Sequence, residues 1–214
     1  MVQGIEETVR MKFQEALEKR ATLRGTKVHS FPLNAQDRDA AGDVIFSDEA
    51  RLSLIEFKSR EQNLHDEGRK PKRRKLCSLL IEQHEMRHLH DQCHFAAWLT
   101  GKHVHLNVYR HEICNRTVFA DELMLPSEGE LSSRLIFSEY AESFLAGVGV
   151  SLSLAEFEHY LAWVMTKTSG SQSSTVSVQA IDPTEDELVI LDFGSLREVH
   201  NWFAANKPGS ELRL

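Results

Sequence analysis

The sequence predicts an α/β (α+β) protein in which a mixed sheet is flanked by helices. Three observations lead to this prediction: an amphipathic first helix, three short strand patterns directly after it, and a second helix followed by a strand before residue 110. The chain has 214 residues, of which 41% are apolar. That is enough to form a substantial core in one large domain.

The first half of the chain predicts the order helix, three strands, helix, strand. The first helix runs from about residue 3 to residue 24 and stops at Gly25, with Ile5, Val9, Phe13 and Leu17 on one face. The predicted elements after it are strands at 27–33, 43–47 and 51–59, a helix from 72 to about 99, either continuous or divided near residue 91, and a strand at 103–110. Residues 60–71 are predicted to form a polar loop.

The second half predicts further helices and strands that extend the same domain. The predicted elements are a helix at 135–146, a helix from Ser153 to about residue 167, a polar linker at 169–174, strands at 176–181 and 188–193, and a helix from Ser195 to about residue 206. We therefore divide the chain into a core at 1–118 and a C-terminal α/β extension at 119–214.

Charged residues frame two neighbouring strands of the predicted sheet. Asp43 opens one apolar run, and Glu56 and Lys58 close the next run. Because side chains alternate along a strand, Glu56 and Lys58 project from one side, and a hairpin brings Asp43 to that side. Carboxylate oxygens suit Mg²⁺ or Mn²⁺, and a nearby lysine can orient or deprotonate an attacking water. The pattern predicts a phosphodiester-cleaving site.

Two other groups of charged residues bear on this site. Glu6 falls on the apolar face of the first helix, where a carboxylate is either satisfied at the edge of the core or functional. A basic run follows the strand of Glu56, and a solvated loop is the alternative to phosphate contact for its members. These members are Arg69, Lys70, Lys72, Arg73, Arg74 and Lys75.

Together, these motifs and their order resemble the PD-(D/E)xK nuclease superfamily, which has a restriction-endonuclease-like αβββαβ core. The resemblance covers about residues 1–110. Asp43 corresponds to the motif aspartate, and Glu56-Phe57-Lys58 corresponds to the (D/E)xK triplet. Gly42 stands where the motif has proline, a departure that is common in the family.

Two helical positions also resemble motifs of this family. The first-helix motif supplies a glutamate that helps to bind metal, and here it corresponds to Glu6 or to Glu7. Gln83 resembles a helix glutamine found in some members, although a hydrogen-bonded core amide is the alternative for this residue.

The resemblance implies a nuclease that hydrolyses phosphodiester bonds in DNA with a divalent metal. Asp43, Glu56 and Glu6 would hold Mg²⁺ or Mn²⁺, and Lys58 would position the attacking water. The family also implies a setting in a restriction, repair or phage-defence complex with an ATPase or targeting subunit, and leaves homo-oligomers open. A nuclease-like fold without catalysis, acting as a subunit or adaptor, is the alternative.

A zinc metalloprotease is a second alternative. The segment 84–88 reads His-Glu-Met-Arg-His, which matches HExxH, and His94 stands where a longer zinc-protease pattern has its third histidine. Arg87 places a charge in the spacer, and Asp91 replaces the glycine of the longer pattern. Both departures weaken this interpretation.

Net charge, apolar runs and cysteine count bear on the partners and the cellular location that we expect. The formal net charge is −7, which does not by itself favour nucleic-acid binding. The sequence has neither an apolar run of membrane-spanning length nor an apolar export signal at its start, so we expect a cytoplasmic protein that does not enter a membrane. The three cysteines are odd in number and form no CxxC pair, which predicts reduced thiols.

Overall fold

A computed structural model of the protein describes residues 2–33, 41–48, 50–120, 124, 133–169, 176–181, 188–193, 198 and 201. The helices are α1 (Val2–Leu23), a 3₁₀ helix (Glu61–Arg69), α2 (Pro71–Glu82), α3 (His84–Cys93), α4 (Tyr109–Ile113), α5 (Arg116–Phe119), α6 (Phe137–Ala146) and α7 (Leu154–Ser169). The strands are β1 (His29–Pro32), β2 (Val44–Ser47), β3 (Arg51–Lys58), β4 (His94–Thr100), β5 (His103–Val108), β6 (Leu135–Ile136), β7 (Leu152–Ser153), β8 (Val176–Ile181) and β9 (Leu188–Phe193).

The main sheet is mixed, with the strand order β1-β2-β3-β4-β5-β6 and β7 paired to the start of β3. Strands β1, β2 and β3 form an antiparallel meander, whereas β3 and β4 are parallel. A parallel pair needs a long crossover, and here the 3₁₀ helix, α2 and α3 provide it. The predicted α/β class with a mixed sheet between helices is confirmed.

Two hydrophobic layers cover the two faces of this sheet. On one face, α1 and α6 pack against buried side chains of β2 and β3. The ring of Phe13 in α1 lies 5.4 Å from that of Phe46 and 5.3 Å from that of Phe57. On the other face, α2 and α7 pack against Ile45 and Leu54. Glu56 and Lys58 belong to the face of Leu54 because residues two apart share a side.

Several predicted elements are confirmed in place. The helix at 3–24, the meander strands and the strands at 103–110, 176–181 and 188–193 are all present, with ends shifted by a few residues. Asp48 forms the β2–β3 turn by accepting hydrogen bonds from the amides of Ala50 and Arg51. The predicted cap of α7 is also present, since Ser153 and Glu156 hydrogen-bond reciprocally.

The predicted helix from 72 to 99 is wrong from residue 94 onward. The chain breaks at Gln83 rather than near Asp91, and residues 94–100 form β4 instead of helix. Strand β4 is buried on both faces from His94 to Trp98. A strand buried on both faces is a continuous apolar run without alternation, which resembles a buried helix segment in sequence. The predicted loop at 60–71 is a 3₁₀ helix over most of its length.

The C-terminal extension contributes to two sheets. The short strands β6 and β7 join the main sheet, whereas β8 and β9 pair with each other in a separate antiparallel sheet. The expectation that the late strands extend the main sheet is therefore wrong for β8 and β9. Most of the predicted linker at 169–174 and most of the helix predicted to begin at Ser195 lie outside the described residues. Within the described part of the chain, no helix has the length and apolarity needed to cross a membrane.

The prediction of three reduced thiols is wrong for two of them. Cys77 of α2 and Cys114, which follows α4, form a disulfide whose Cα atoms are 5.2 Å apart. Cys93 is a buried free thiol. The pairing is set by the packing of α2 against the loop after α4, and a separation of 37 residues gives no sequence signal for it.

Removing the disulfide should destabilise the protein by releasing a long loop in the unfolded chain. Replacing Cys77 and Cys114 by alanine should lower the free energy of unfolding by about 3–4 kcal/mol, the scale for a loop of this length. Urea denaturation with and without reductant measures the change, and a Cys93→Ala variant should remain sensitive to reductant. Three alkylatable thiols in protein purified without reductant would contradict the bond.

Candidate active site

Asp43 stands at the start of β2 and is fixed by the backbone of β3. Its amide donates to the carbonyl of Ile55 at 3.0 Å, and its Oδ2 accepts from the amide of Phe57 at 2.7 Å. The regular β2–β3 pairing ends at Val44 and Ile55, and the Asp43 carboxylate adds one further bond to β3 beyond this end. Asp43 is 5% exposed and lies beside Glu56, as the hairpin predicted.

Gly42 has a packing reason to be glycine rather than the proline of the family motif. A Cβ atom at this position would lie 2.9 Å from Cδ1 of Leu54, a side chain that is fully buried in the core. Contacts this short require the neighbour to move, and a closely packed core resists such movement. Any residue with a Cβ atom at position 42, proline included, would therefore require the buried side chain of Leu54 to shift.

Glu56 lies at the centre of a buried group of ion pairs. Its Oε1 contacts Nζ of Lys58 at 2.5 Å and Nζ of Lys70 at 3.2 Å, and its Oε2 contacts Nη2 of Arg73 at 2.7 Å. Burial alone would raise the pKa of Glu56, but Lys58, Arg73 and Lys70 together hold this pKa well below its ordinary value. Glu56 is therefore a carboxylate at neutral pH, with both oxygens paired to cations.

A second buried carboxylate, Glu67, completes this group and is not among the site residues predicted from the sequence. Glu67 is fully buried on the 3₁₀ helix, and it contacts Lys58, Lys70 and Arg73. The hydroxyl of Tyr109 donates to its Oε2 at 3.0 Å. We call Glu56, Glu67, Lys58, Lys70 and Arg73 the Glu56 cluster.

A sequence signal for Glu67 exists, but it requires the correct helix type. Leu64 and Glu67 are three residues apart, and residues with this spacing share one face of a 3₁₀ helix. Lys70 and Arg73 continue the same spacing of three into α2. At Gly68, a Cβ atom would lie 2.4 Å from the carbonyl oxygen of Val118, so glycine allows the 3₁₀ helix to approach α5.

Lys58 remains charged in this environment. Burial would lower the pKa of Lys58, but Glu56, Glu67 and Asp43 together raise this pKa above its ordinary value. A lysine that holds its proton at neutral pH cannot act as a general base. Of the two roles that the sequence suggests for Lys58, the structure therefore favours positioning and charge stabilisation over deprotonation.

Both candidate glutamates of α1 lie beside Asp43. Glu6, Glu7 and Asp43 line one cavity of about 100 Å³, which has room for an ion and some of its waters. Glu7 is also engaged with Arg10, whose Nε donates to it at 3.0 Å, whereas Glu6 is the less exposed of the two. The oxygen donors at this cavity are of the type that Mg²⁺ and Mn²⁺ take.

The fit of a metal to this site depends on Glu56. Among the residues that the structure describes, no three His, Cys, Asp or Glu side chains are grouped as a ligand set. Asp43 and Glu6 face the cavity, but the oxygens of Glu56 are paired with three cations. Asp43, Glu6 and Glu7 therefore offer oxygen donors at the cavity, which Arg10 also lines, whereas Glu56 does not line it and its carboxylate is paired with cations.

The basic run is divided between the interior and the surface. Arg73 is fully buried, donates to the carbonyl of Ala41 at 2.6 Å, and lies 5.3 Å from the ring centre of Tyr109. The prediction that Arg73 contacts nucleic acid is therefore wrong, because its guanidinium is buried and paired with groups inside the protein. Lys70 is half-buried in the Glu56 cluster. Arg69, Arg74 and Lys75 are exposed, and Lys72 is partly exposed.

The structure does not support the accessory role predicted for Gln83 or the zinc site predicted from the HExxH segment. Gln83 is exposed at the break between α2 and α3, so it is neither in the middle of a helix face nor a core amide. His84 and His88 are also exposed, and they contact Arg87 and Gln92 respectively. His94 is fully buried at the start of β4. The described histidines therefore do not assemble the zinc site that HExxH suggests.

Behind the Glu56 cluster lies a layer of buried aromatic and imidazole rings. The ring of His94 stacks on Tyr109 with centroids 4.5 Å apart. The hydroxyl of Tyr160 contacts Nδ1 of His90 at 2.6 Å and Nδ1 of His94 at 2.8 Å. Burial lowers the pKa of both histidines well below the ordinary value, so both rings are neutral. This layer supports Tyr109 and, through it, Arg73.

Comparisons with known proteins give no counterpart for this arrangement: no family model, no curated protein and no solved structure matches the chain.

Neutralising Glu56 should destabilise the fold strongly. The variant Glu56→Gln removes the carboxylate that pairs with Lys58, Lys70 and Arg73, and breaking a buried ion pair costs about 3–5 kcal/mol. Urea denaturation measures this loss in the free energy of unfolding. Glu15→Gln, which removes an exposed carboxylate paired with Lys12, is the matched control and should leave the midpoint nearly unchanged. Equal midpoints for both variants would contradict the importance of the cluster.

The cost of Glu56→Gln should depend on pH in a defined direction. Because the folded pKa of Glu56 is depressed below its ordinary 4.5, its contribution to stability is present above that pH and is lost as pH falls through the folded value. The stability difference between wild type and Glu56→Gln should be constant from about pH 6 to 9 and should shrink on acidification. Denaturation curves from pH 9 down to acid pH test it, and a difference that grows toward acid pH would refute the assignment.

Proposed function

We propose that the protein is a divalent-metal-dependent nuclease that hydrolyses phosphodiester bonds in DNA within a multi-protein complex. The observation that carries this proposal is the convergence of Asp43, Glu56 and Lys58 at one end of the β2–β3 pair, with Glu6 across a cavity from Asp43. The order of α1, the three-stranded meander, the crossover and the parallel β4 supports a restriction-endonuclease-like core of the PD-(D/E)xK type.

Each residue has a role that follows from its position. Asp43, Glu56 and Glu6 would hold Mg²⁺ or Mn²⁺, and the bound ion would supply positive charge to the scissile phosphate. The charged Lys58, 2.5 Å from Glu56, positions the attacking water and offsets the charge that develops on the phosphate. Because Asp43 is bonded to the β3 backbone, it holds its orientation before substrate arrives.

Surface residues of the basic run offer contacts for the DNA backbone. Arg69 ends the 3₁₀ helix, and Lys72 and Arg74 lie in the first turn of α2, next to Lys70 and Arg73 of the Glu56 cluster. Long cationic side chains neutralise phosphates without reading sequence. This placement supports a backbone-tracking role for the exposed members of the run and none for Arg73.

A second candidate is a nuclease-like subunit without catalysis. The observation that favours it is the complete pairing of the Glu56 carboxylate with Lys58, Lys70 and Arg73. In that case the charged group would serve stability, and the surface of the protein would serve assembly with a partner.

A cleavage assay decides between these candidates. Supercoiled and linear DNA, with RNA as a further substrate, are incubated with Mg²⁺ or Mn²⁺ and either the chain alone or the assembly that copurifies with it. We expect cleavage of DNA that falls at least about 100-fold in Lys58→Ala and in Asp43→Asn, the scale for losing one preorganised charge-stabilising group. Circular dichroism confirms that each variant is folded.

The control is Lys12→Ala, which removes an exposed lysine of α1 and should cleave like wild type. Absence of cleavage in every wild-type sample overturns the enzyme proposal and leaves the non-catalytic subunit. Cleavage that survives Lys58→Ala and Asp43→Asn places the activity elsewhere. Preferential cleavage of RNA would correct the substrate class.

A further inference from the structure

A cleft lies on the α1 side of the main sheet, where β6 ends. Strand β6 pairs only with His105 and Leu106 of β5, and the chain then turns into α6 at Phe137. The first residues of β5 are thus left between α1 and the start of α6, and the space between these three elements is about 300 Å³. This volume is at the lower end of the range for ligand sites, and it accommodates one large side chain.

The floor of the cleft is apolar. Its residues come from α1, β5 and α6, and they are Phe13, Ala16, Val104 and Phe137. At the edge of the cleft, Ile136 is 37% exposed, so part of the apolar lining is in contact with water. An apolar group that enters the cleft removes this surface from water, which is favourable.

The rim of the cleft is basic, in a chain whose net charge is −7. Lys12 stands on α1, and Lys102 and His103 stand at the turn between β4 and β5; among the described lining residues none is acidic. Lys12 contacts Glu15 at 2.6 Å, but both side chains are more than half exposed, and such a pair is weak in water. Glu139 of α6 is held by a backbone amide of its own helix cap. The rim therefore offers positive charge to an anionic partner.

The rings at the cleft favour a peptide over a nucleic acid. A nucleobase binds by stacking on an open aromatic face. Here Arg20 already lies over the Phe137 ring, 5.4 Å from its centroid, and Phe13 packs against the same ring at 4.9 Å. The basic side chains come from two elements, α1 and the β4–β5 turn. Carboxylates on both sides of one apolar residue match this arrangement, whereas an amphiphile with a single head group does not.

We propose that this cleft is a docking site for an acidic peptide segment of a partner protein, in which one large apolar side chain is flanked by Asp or Glu. The apolar side chain occupies the floor, and its acidic neighbours pair with Lys12 and with Lys102. The buried apolar group gives affinity, and the complementary charges give specificity and a faster association. The inference goes beyond the proposed function and holds for both candidate functions, since the cleft and the Glu56 cluster lie on opposite faces of the sheet.

The test measures the binding of end-labelled peptides to the full chain by fluorescence anisotropy. One peptide has a central Phe flanked on both sides by Glu, the second has Lys in place of every Glu, and the third has Gly in place of the Phe. We expect saturable binding of the first peptide alone. Its affinity should fall as salt rises, because salt screens pairs between exposed charges.

Reversal of the rim charge is the decisive variant. Lys12→Glu combined with Lys102→Glu should weaken binding of the acidic peptide at least about tenfold, since each exposed ion pair contributes up to about a factor of five and reversal adds repulsion. The same variant should gain binding of the Lys peptide. Both lysines are exposed, so the fold should be retained, and circular dichroism checks it. An exchange of peptide preference is a result that unfolding does not produce.

Lys19→Glu is the matched control for the rim charge. Lys19 is exposed on α1, two turns beyond Lys12, and does not line the cleft. Two helical turns span about 11 Å, which exceeds the screening length of about 8 Å at physiological salt. The control should therefore bind within about twofold of wild type at that salt. An equal loss in Lys19→Glu and in the charge-reversed variant would indicate general attraction and overturn the proposal.

A variant of the apolar lining tests the other half of the proposal. Ile136→Ser shortens an exposed apolar side chain at the edge of the cleft and should weaken binding severalfold. No saturable binding of the acidic peptide up to about 1 mM, the limit of weak association, overturns the proposal. Binding that persists in both this variant and the charge-reversed variant places the peptide elsewhere and also overturns it. Tighter binding of a single-stranded oligonucleotide, lost on charge reversal, would assign the cleft to nucleic acid instead.

Discussion

The burial of the Glu56 carboxylate at the end of β3 is the constraint on which the rest of the site depends. A carboxylate cannot be taken out of water without cations and hydrogen-bond donors around it. The crossover between β3 and β4 supplies them: the 3₁₀ helix brings Glu67, and the first turns of α2 bring Lys70 and Arg73. The path of the crossover is therefore fixed by charge pairing as well as by apolar packing.

The two faces of the sheet differ in composition near the candidate site. The face under α1 is closed by aromatic rings around Phe13, which contacts Phe46, Phe57 and Tyr140. The opposite face carries the Glu56 cluster at one end and an apolar core at the other. Because Phe57 and Glu56 are neighbours in β3, the rigid aromatic layer holds the strand from behind while the charged side chains face the crossover. Asp43 joins the two layers through its bond to the amide of Phe57.

The sequence predicted the parts of the site that depend on strand alternation. Asp43, Glu56 and Lys58 lie together as expected because a period of two and a short turn determine their placement. Glu67 could not be found with the same logic, since its placement depends on a 3₁₀ helix that sequence patterns do not distinguish from a polar loop. Arg73 was assigned to the surface because a basic run contains no sign of which member turns inward.

The errors in the fold have a similar origin. Strand β4 is buried on both faces, and its apolar run continues the pattern of α3, so periodicity alone extended the helix to Leu99. The break at Gln83 moved that residue out of the helix face on which its predicted role depended. The Cys77–Cys114 disulfide joins segments that only tertiary packing brings together. Local patterns were thus sufficient for the meander but not for the crossover.

The hydroxyl of Tyr160 between His90 and His94 has a consequence for where protons reside. A hydroxyl has one hydrogen to donate, so it can supply only one of the two Nδ1 atoms that it contacts. The other imidazole must carry its own hydrogen on Nδ1 and donate it to the hydroxyl oxygen. When the hydroxyl donates to one ring, the two neutral rings hold opposite tautomers, and exchanging them requires the tyrosine hydroxyl to turn and both rings to change in step.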